Sequence, residues 1–72
     1  MFLEMYTVYF SPSDYRGQYV VRRWQVSASG AMPREVVAVS STLEEAHRSI
    51  PKGLYRQPRY PKDDPVILET WF

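Results

Sequence analysis

A short apolar strand that runs directly into a capped helix constrains this chain more than any other feature. Residues 36–39 contain three β-branched valines, which favour a strand. Two overlapping capping boxes follow, Ser41 with Glu44 and Thr42 with Glu45. In this motif the hydroxyl and the carboxylate each bond a free backbone amide at a helix start. The sequence therefore predicts a boundary between strand and helix near Thr42.

Alternating apolar residues and turn signals predict the other elements. We predict strands over 1–10, 18–28, 34–40 and 66–72, a hairpin turn at 29–33, and a helix from about Thr42 to Ser49 that ends before Pro51. The whole chain, 1–72, is one small α+β domain. Its mostly antiparallel sheet has three or four strands in the order β-ββαβ, with one short helix packed on one face. The position of the strand over 1–10 stays open, and a peripheral place is one option.

The helix has a single apolar stripe formed by Leu43, Ala46, His47 and Ile50. Two helical turns are too short to be stable alone, so this stripe must pack on the sheet. We expect the strand over 18–28 to be central, with the last strand antiparallel to it.

Within the strand over 18–28, alternation places Val20, Trp24 and Val26 on one face, and we expect that face to lie under the helix. Arg23 then lies on the opposite face, where Glu69 of the last strand could pair with it.

The opposite sheet face predicts self-association. A chain of 72 residues has a small core and usually needs reinforcement, and without cysteine it has neither disulfides nor thiolate zinc sites. An apolar patch on one sheet face is typical of an interface. We therefore predict a homodimer, with either two faces or two edge strands in contact. Its candidate residues are Tyr19, Val21, Ile67 and Trp71. The alternative is that the first strand or a loop covers this patch.

The segment 51–65 is the candidate binding site. It contains four prolines and is predicted to be a long, stiff, basic loop. Arginine interleaved with tyrosine suits single-stranded nucleic acid or a phosphorylated ligand. We predict that the segment binds a protein partner or another ligand, with nucleic-acid binding by residues 52–62 as the alternative. The net charge of +1 gives no general attraction to nucleic acid, and a solvated loop whose tyrosines cover the core is the competing interpretation. The candidate residues are Tyr55, Arg56, Arg59, Tyr60 and Lys62.

No pattern in the chain indicates catalysis. His47 has no nucleophile context, Asp63 and Asp64 precede Pro65 as in a turn, and the three glycines are isolated. We predict a binding module that is not an enzyme, with no catalytic residue, no metal and no cofactor. The sequence has no signal-peptide or membrane-span pattern, and seven of its nine basic residues are arginine. These features favour a bacterial cytoplasmic protein with no membrane partner.

Overall fold

The computed structural model describes residues 3–72 and shows a small α+β fold with a five-stranded antiparallel sheet and one short helix. The strands lie side by side in the order β3-β2-β1-β5-β4. No helix in the described range has the length and apolar character needed to cross a membrane. The elements are β1 (Leu3–Phe10), β2 (Tyr19–Ser27), β3 (Gly30–Ser40), α1 (Leu43–Arg48), β4 (Arg56–Pro58) and β5 (Ile67–Trp71).

The predicted helix is confirmed, with its start at the expected residue. Thr42 has an extended backbone, and its hydroxyl accepts a hydrogen bond from the backbone N–H of Glu45 at 3.2 Å. This bond satisfies one of the amides that a helix start leaves without a partner. Ala46 is fully buried and Ile50, just beyond the helix, is also buried, so the apolar stripe packs on the sheet as predicted.

The hairpin between β2 and β3 is tighter than the sequence suggested. Ser27 pairs with Gly30, so only two residues form the turn and β3 begins before Pro33. Gly30 has φ of 125°, a conformation that favours glycine. Pro33 is tolerated inside a strand because β3 lies at the sheet edge and needs no further partner there.

The central strand is β1, not the strand over 18–28. β5 pairs with β1 (Tyr6 opposite Trp71), and β2 pairs with the other side of β1. The connection through α1 and residues 51–65 is long enough to carry the chain from one edge of the sheet past β2 and β1. Thr7 and Val8 on opposite faces of β1 are both buried, as expected for a central strand.

The fifth strand lies inside the segment that was predicted to be loop throughout. β4 is only three residues long and pairs with β5, with Arg56 opposite Trp71. Its three residues are too few to show a strand period in the sequence. The prediction of three or four strands is therefore corrected to five.

The assignment of sheet faces from the sequence was wrong. Val21 is fully buried beside Ala46 and Ile50, and Tyr19 and Trp71 pack against the same cluster. These residues lie under the helix and not on an uncovered face. The reason is that β2 is apolar on both sides, so its period alone does not select the buried side.

Arg22 is the residue that distinguishes the two sides of β2. Arg22 lies on the face of the sheet that the helix does not cover, and its guanidinium donates to the backbone oxygen of Arg34 at 2.6 Å. Arg23 lies on the helix side but beyond the helix, where it bonds Glu4 and Glu35. The predicted pairing of Arg23 with Glu69 is therefore also wrong.

Candidate interaction surface

A buried carboxylate joins the helix to two strands. Glu69 in β5 is 2% exposed, and it accepts hydrogen bonds from Trp71 Nε1 at 2.9 Å, from Arg56 Nε at 2.5 Å and from His47 Nε2. Burial raises the pKa of Glu69, but the bonds from Trp71, Arg56 and His47 outweigh it and hold the pKa below its usual value. All the groups that contact this carboxylate stabilise its charged form, so the cluster holds α1, β4 and β5 together.

A second charged cluster extends the helix side of the sheet beyond the helix. Arg23 donates to both carboxylate oxygens of Glu35, at 2.7 and 2.9 Å, and to Glu4 at 2.8 Å. The Tyr6 hydroxyl donates to the other oxygen of Glu4 at 3.0 Å. The hydrogen bonds from Arg23 lower the pKa of Glu35 to about 2. The three strands β1, β2 and β3 are therefore linked by one guanidinium.

We expect the Glu35 carboxyl to titrate near pH 2 and to return toward its usual value of 4.5 in an Arg23→Gln variant. Because the pKa of Glu35 is lowered on folding, its contribution to stability is present above pH 4.5 and is lost as the pH falls toward 2. Carboxyl-detected NMR titration measures both values. A wild-type value of 4 or higher would contradict the bidentate geometry.

The sheet face opposite α1 carries a row of large apolar side chains that runs across the strands. We call this face the open face, and we call Tyr55, Phe72, Met5 and Trp24 the apolar row. Tyr55 and Phe72 are opposite each other and exchange two backbone hydrogen bonds, of 2.8 and 3.1 Å. Phe72 and Met5 line the same groove, and Met5 is paired with Trp24. Side chains from four neighbouring strand positions therefore stand side by side.

The apolar row is accompanied by further apolar groups, and its Tyr55 and Phe72 are exposed, whereas Met5 and Trp24 are half-buried. Leu3 and Val26 line a shallow groove of about 220 Å³ together with Met5, Phe72 and Glu4. Tyr55 is 79% exposed, Leu3 65% and Phe72 52%. Within residues 3–72, no helix lies on this side of the sheet. A contiguous apolar surface of this kind on a small domain is typical of an interface.

The other end of the open face is covered by the turn between β1 and β2. Pro12 and Tyr15 of this turn line a cavity with Val20 and Arg22, and Val20 is only 4% exposed. The covered end and the exposed end thus divide the face into two parts. The apolar row lies in the exposed part.

Trp24 occupies the row with an unsatisfied donor. Its Nε1 is shielded from solvent and has no hydrogen-bond partner in the described part of the chain. Such a buried donor costs about 1–3 kcal/mol. The indole therefore lies in the apolar row at a cost in folding stability.

The ion pairs of the sheet lie on the helix side, whereas Arg22 lies on the open face and bonds a backbone oxygen. The three carboxylates within strands, Glu4, Glu35 and Glu69, all bond to arginines on the helix side. The apolar row itself carries no charge. At its margins the row meets two carboxylates, Glu4, which is paired with Arg23, and Asp63, which accepts from the backbone N–H of Tyr60.

The structure separates the predicted partner-binding residues. Arg56 points to the helix side and bonds Glu69, whereas the Arg59 guanidinium bonds the backbone oxygen of Asp63 at 3.3 Å. Tyr60 lines a cavity with Met5 and Phe72, at the margin of the apolar row. Lys62 is exposed. Of the predicted site, Tyr55 and Tyr60 thus come together with the open face, and the basic strip does not form one surface.

The predicted self-association residues also do not form one surface. Tyr19, Val21 and Trp71 lie on the helix side, and Ile67 is half-buried opposite Tyr9.

The residues that sequence reasoning missed are Leu3, Met5, Trp24 and Phe72. The signal that would have found them is Arg22: a charged residue without a nearby acid favours the side of β2 that the helix does not cover, and Trp24 is on that side.

Asp63 and Asp64 act as the predicted turn residues. The Asp63 carboxylate accepts from the backbone N–H of Tyr60 at 3.0 Å, and that of Asp64 accepts from Val66 at 3.1 Å. In the described range, no three His, Cys, Asp or Glu side chains form a group that would hold a metal ion.

Comparison of the chain with protein-family models, curated proteins and solved structures finds no match in any of the three.

Proposed function

We propose that this protein is a non-enzymatic protein-interaction module of the cytoplasm that self-associates. The observation that carries the proposal is the apolar row, in which Tyr55 and Phe72 are exposed and which no helix covers in the described residues. Association removes this surface from water at a gain of about 25 cal/mol per Å² of apolar area. Burial of this kind drives most stable protein contacts.

Sedimentation equilibrium tests the proposal. We expect the wild-type chain to form dimers at micromolar concentration, and the double variant Leu3→Ser/Phe72→Ser to weaken the dimer at least about tenfold because two apolar contacts are lost. Met32→Ser is the matched control. Met32 is 57% exposed but pairs with Gln25 on the helix side of β2, so its removal should leave the dimer unchanged. A wild-type chain that stays monomeric at several hundred micromolar would refute self-association.

Binding of single-stranded nucleic acid by residues 52–62 is the competing function. The exposure of Tyr55 (79%) and Tyr60 (59%) favours it, because exposed rings can stack on bases. This function requires affinity for oligonucleotides that falls steeply with salt, and Arg59→Ala/Lys62→Ala should reduce the salt slope. Fluorescence anisotropy with labelled single strands at low salt makes the measurement. Under the self-association proposal we expect no binding.

A further inference from the structure

Both edges of the sheet are built in ways that oppose strand addition. The β3 edge has register shifts opposite Arg22 and contains Pro33, and the β4 edge is three residues long and ends at Pro58. Bulges, short strands and proline are the features by which sheets avoid pairing with another chain. A proline lacks the N–H that an added strand would need.

The exposed area of the chain is larger than that of an ordinary folded monomer. The surface is 5190 Å² at a mass of 8.5 kDa, whereas the size relation for folded monomers gives about 4,650 Å². A standard interface buries about 800 Å² per partner and a weak one about 600 Å². The chain therefore exposes roughly 500 Å² more surface than the relation gives, and this difference approaches the area that a weak interface buries per partner. Tyr55 and Phe72 of the apolar row, with Leu3 beside them, are among its most exposed apolar side chains.

The apolar row suits a second copy of the same chain. The four side chains of the row are uncharged, and the carboxylates that line its margins, Glu4 and Asp63, already accept hydrogen bonds from Arg23 and from the backbone N–H of Tyr60. Two sheets that pack by their faces interdigitate side chains at a spacing of about 10 Å. Large side chains in line across the strands provide such an inner layer.

We infer that two copies associate face to face, apolar row against apolar row, and not through the edge strands β3 or β4. This inference rests on the proposed self-association and specifies its geometry. The result is an aligned β-sandwich in which α1 of each copy lies on the outside. Each Trp24 then lies in the inner layer of the sandwich.

Single-cysteine protection tests the geometry, because the chain contains no natural cysteine. Leu3→Cys and Val26→Cys place a thiol beside the apolar row and leave the row intact. Met32→Cys probes the β3 edge from the helix side, Arg59→Cys probes the end of β4, and Glu44→Cys probes the helix as a control. The rate of alkylation by a maleimide is measured over protein concentrations at which sedimentation shows monomer and then dimer.

We expect the alkylation rates at positions 3 and 26 to fall roughly tenfold when about 90% of the chains are dimeric, since only monomers react. The rates at positions 32, 59 and 44 should not change. Protection at position 32 or 59 with none at 3 and 26 would overturn the face-to-face geometry but leave self-association standing. A monomer in sedimentation with no protection anywhere would instead refute the proposed function. If a single-stranded oligonucleotide slows alkylation at positions 3 and 26 of the monomer, the open face binds nucleic acid and the face-to-face geometry is overturned.

Discussion

Val21→Asp is expected to abolish folding, whereas Val26→Asp leaves the chain folded. Val21 is fully buried against Ala46 and Ile50, so a carboxylate at this position has no water and no partner. The cost of an unpaired buried charge exceeds about 4 kcal/mol, which is close to the total stability that a domain of this size has. Val26 is half-buried on the open face, and aspartate there remains hydrated.

Far-ultraviolet circular dichroism and urea unfolding distinguish the two variants. We expect Val26→Asp to retain a cooperative transition and to be monomeric, because its charge lies beside the apolar row. If Val21→Asp folded and Val26→Asp did not, the helix would lie on the opposite side of the sheet from the one described. Val21→Ala provides a milder version of the same measurement, with an expected loss of about 1–3 kcal/mol.

Glu69→Ala is expected to lower the free energy of unfolding by about 3–5 kcal/mol. The carboxylate is 2% exposed and receives bonds from His47, Arg56 and Trp71, so its removal leaves several donors without an acceptor and opens a cavity. In a domain of this length each kcal/mol corresponds to about 4–8 °C in Tm. Thermal and urea unfolding measure the loss.

Glu44→Ala is the control, since loss of this exposed carboxylate should change stability by no more than about 0.5 kcal/mol.

The pH dependence of stability gives a second test of Glu69. The pKa of Glu69 is lowered on folding, so its contribution is present above the pKa of an unfolded carboxyl and is lost as the pH falls through the folded value. Acid destabilisation should therefore be shallower in Glu69→Ala than in the wild type. Equal acid profiles would show that the carboxylate is not stabilised in its charged form.

The sheet faces were assigned wrongly because the sequence of β2 does not distinguish its two sides. Val20 and Val21 are adjacent and equally apolar, and both are buried, one under a turn and the other under the helix. A period of two residues cannot rank two faces that are both apolar. Only the register between β1 and β2, which pairs Val8 with Val21, joins the buried residues into one core.

The candidate site was only partly predictable for a related reason. Tyr55 and Tyr60 were identified from composition, but Arg56 lies next to Tyr55 in the chain and points to the other side of the sheet, where Glu69 binds it. Adjacent residues of a strand always separate in this way. The basic strip therefore divides as soon as β4 forms, and β4 exists only because β5 offers it an edge.

The local sequence by itself determined the helix, its capped start at Thr42, the turn chemistry of Asp63 and Asp64, and the α+β class. Each of these depends on hydrogen bonds or spacing within a few residues of the chain. Tertiary structure decided the central place of β1, the side of the sheet that the helix covers, and the assembly of the apolar row. These features depend on contacts between residues far apart in the chain, such as Met5 with Phe72, and such contacts follow from pairing and burial that no local pattern specifies.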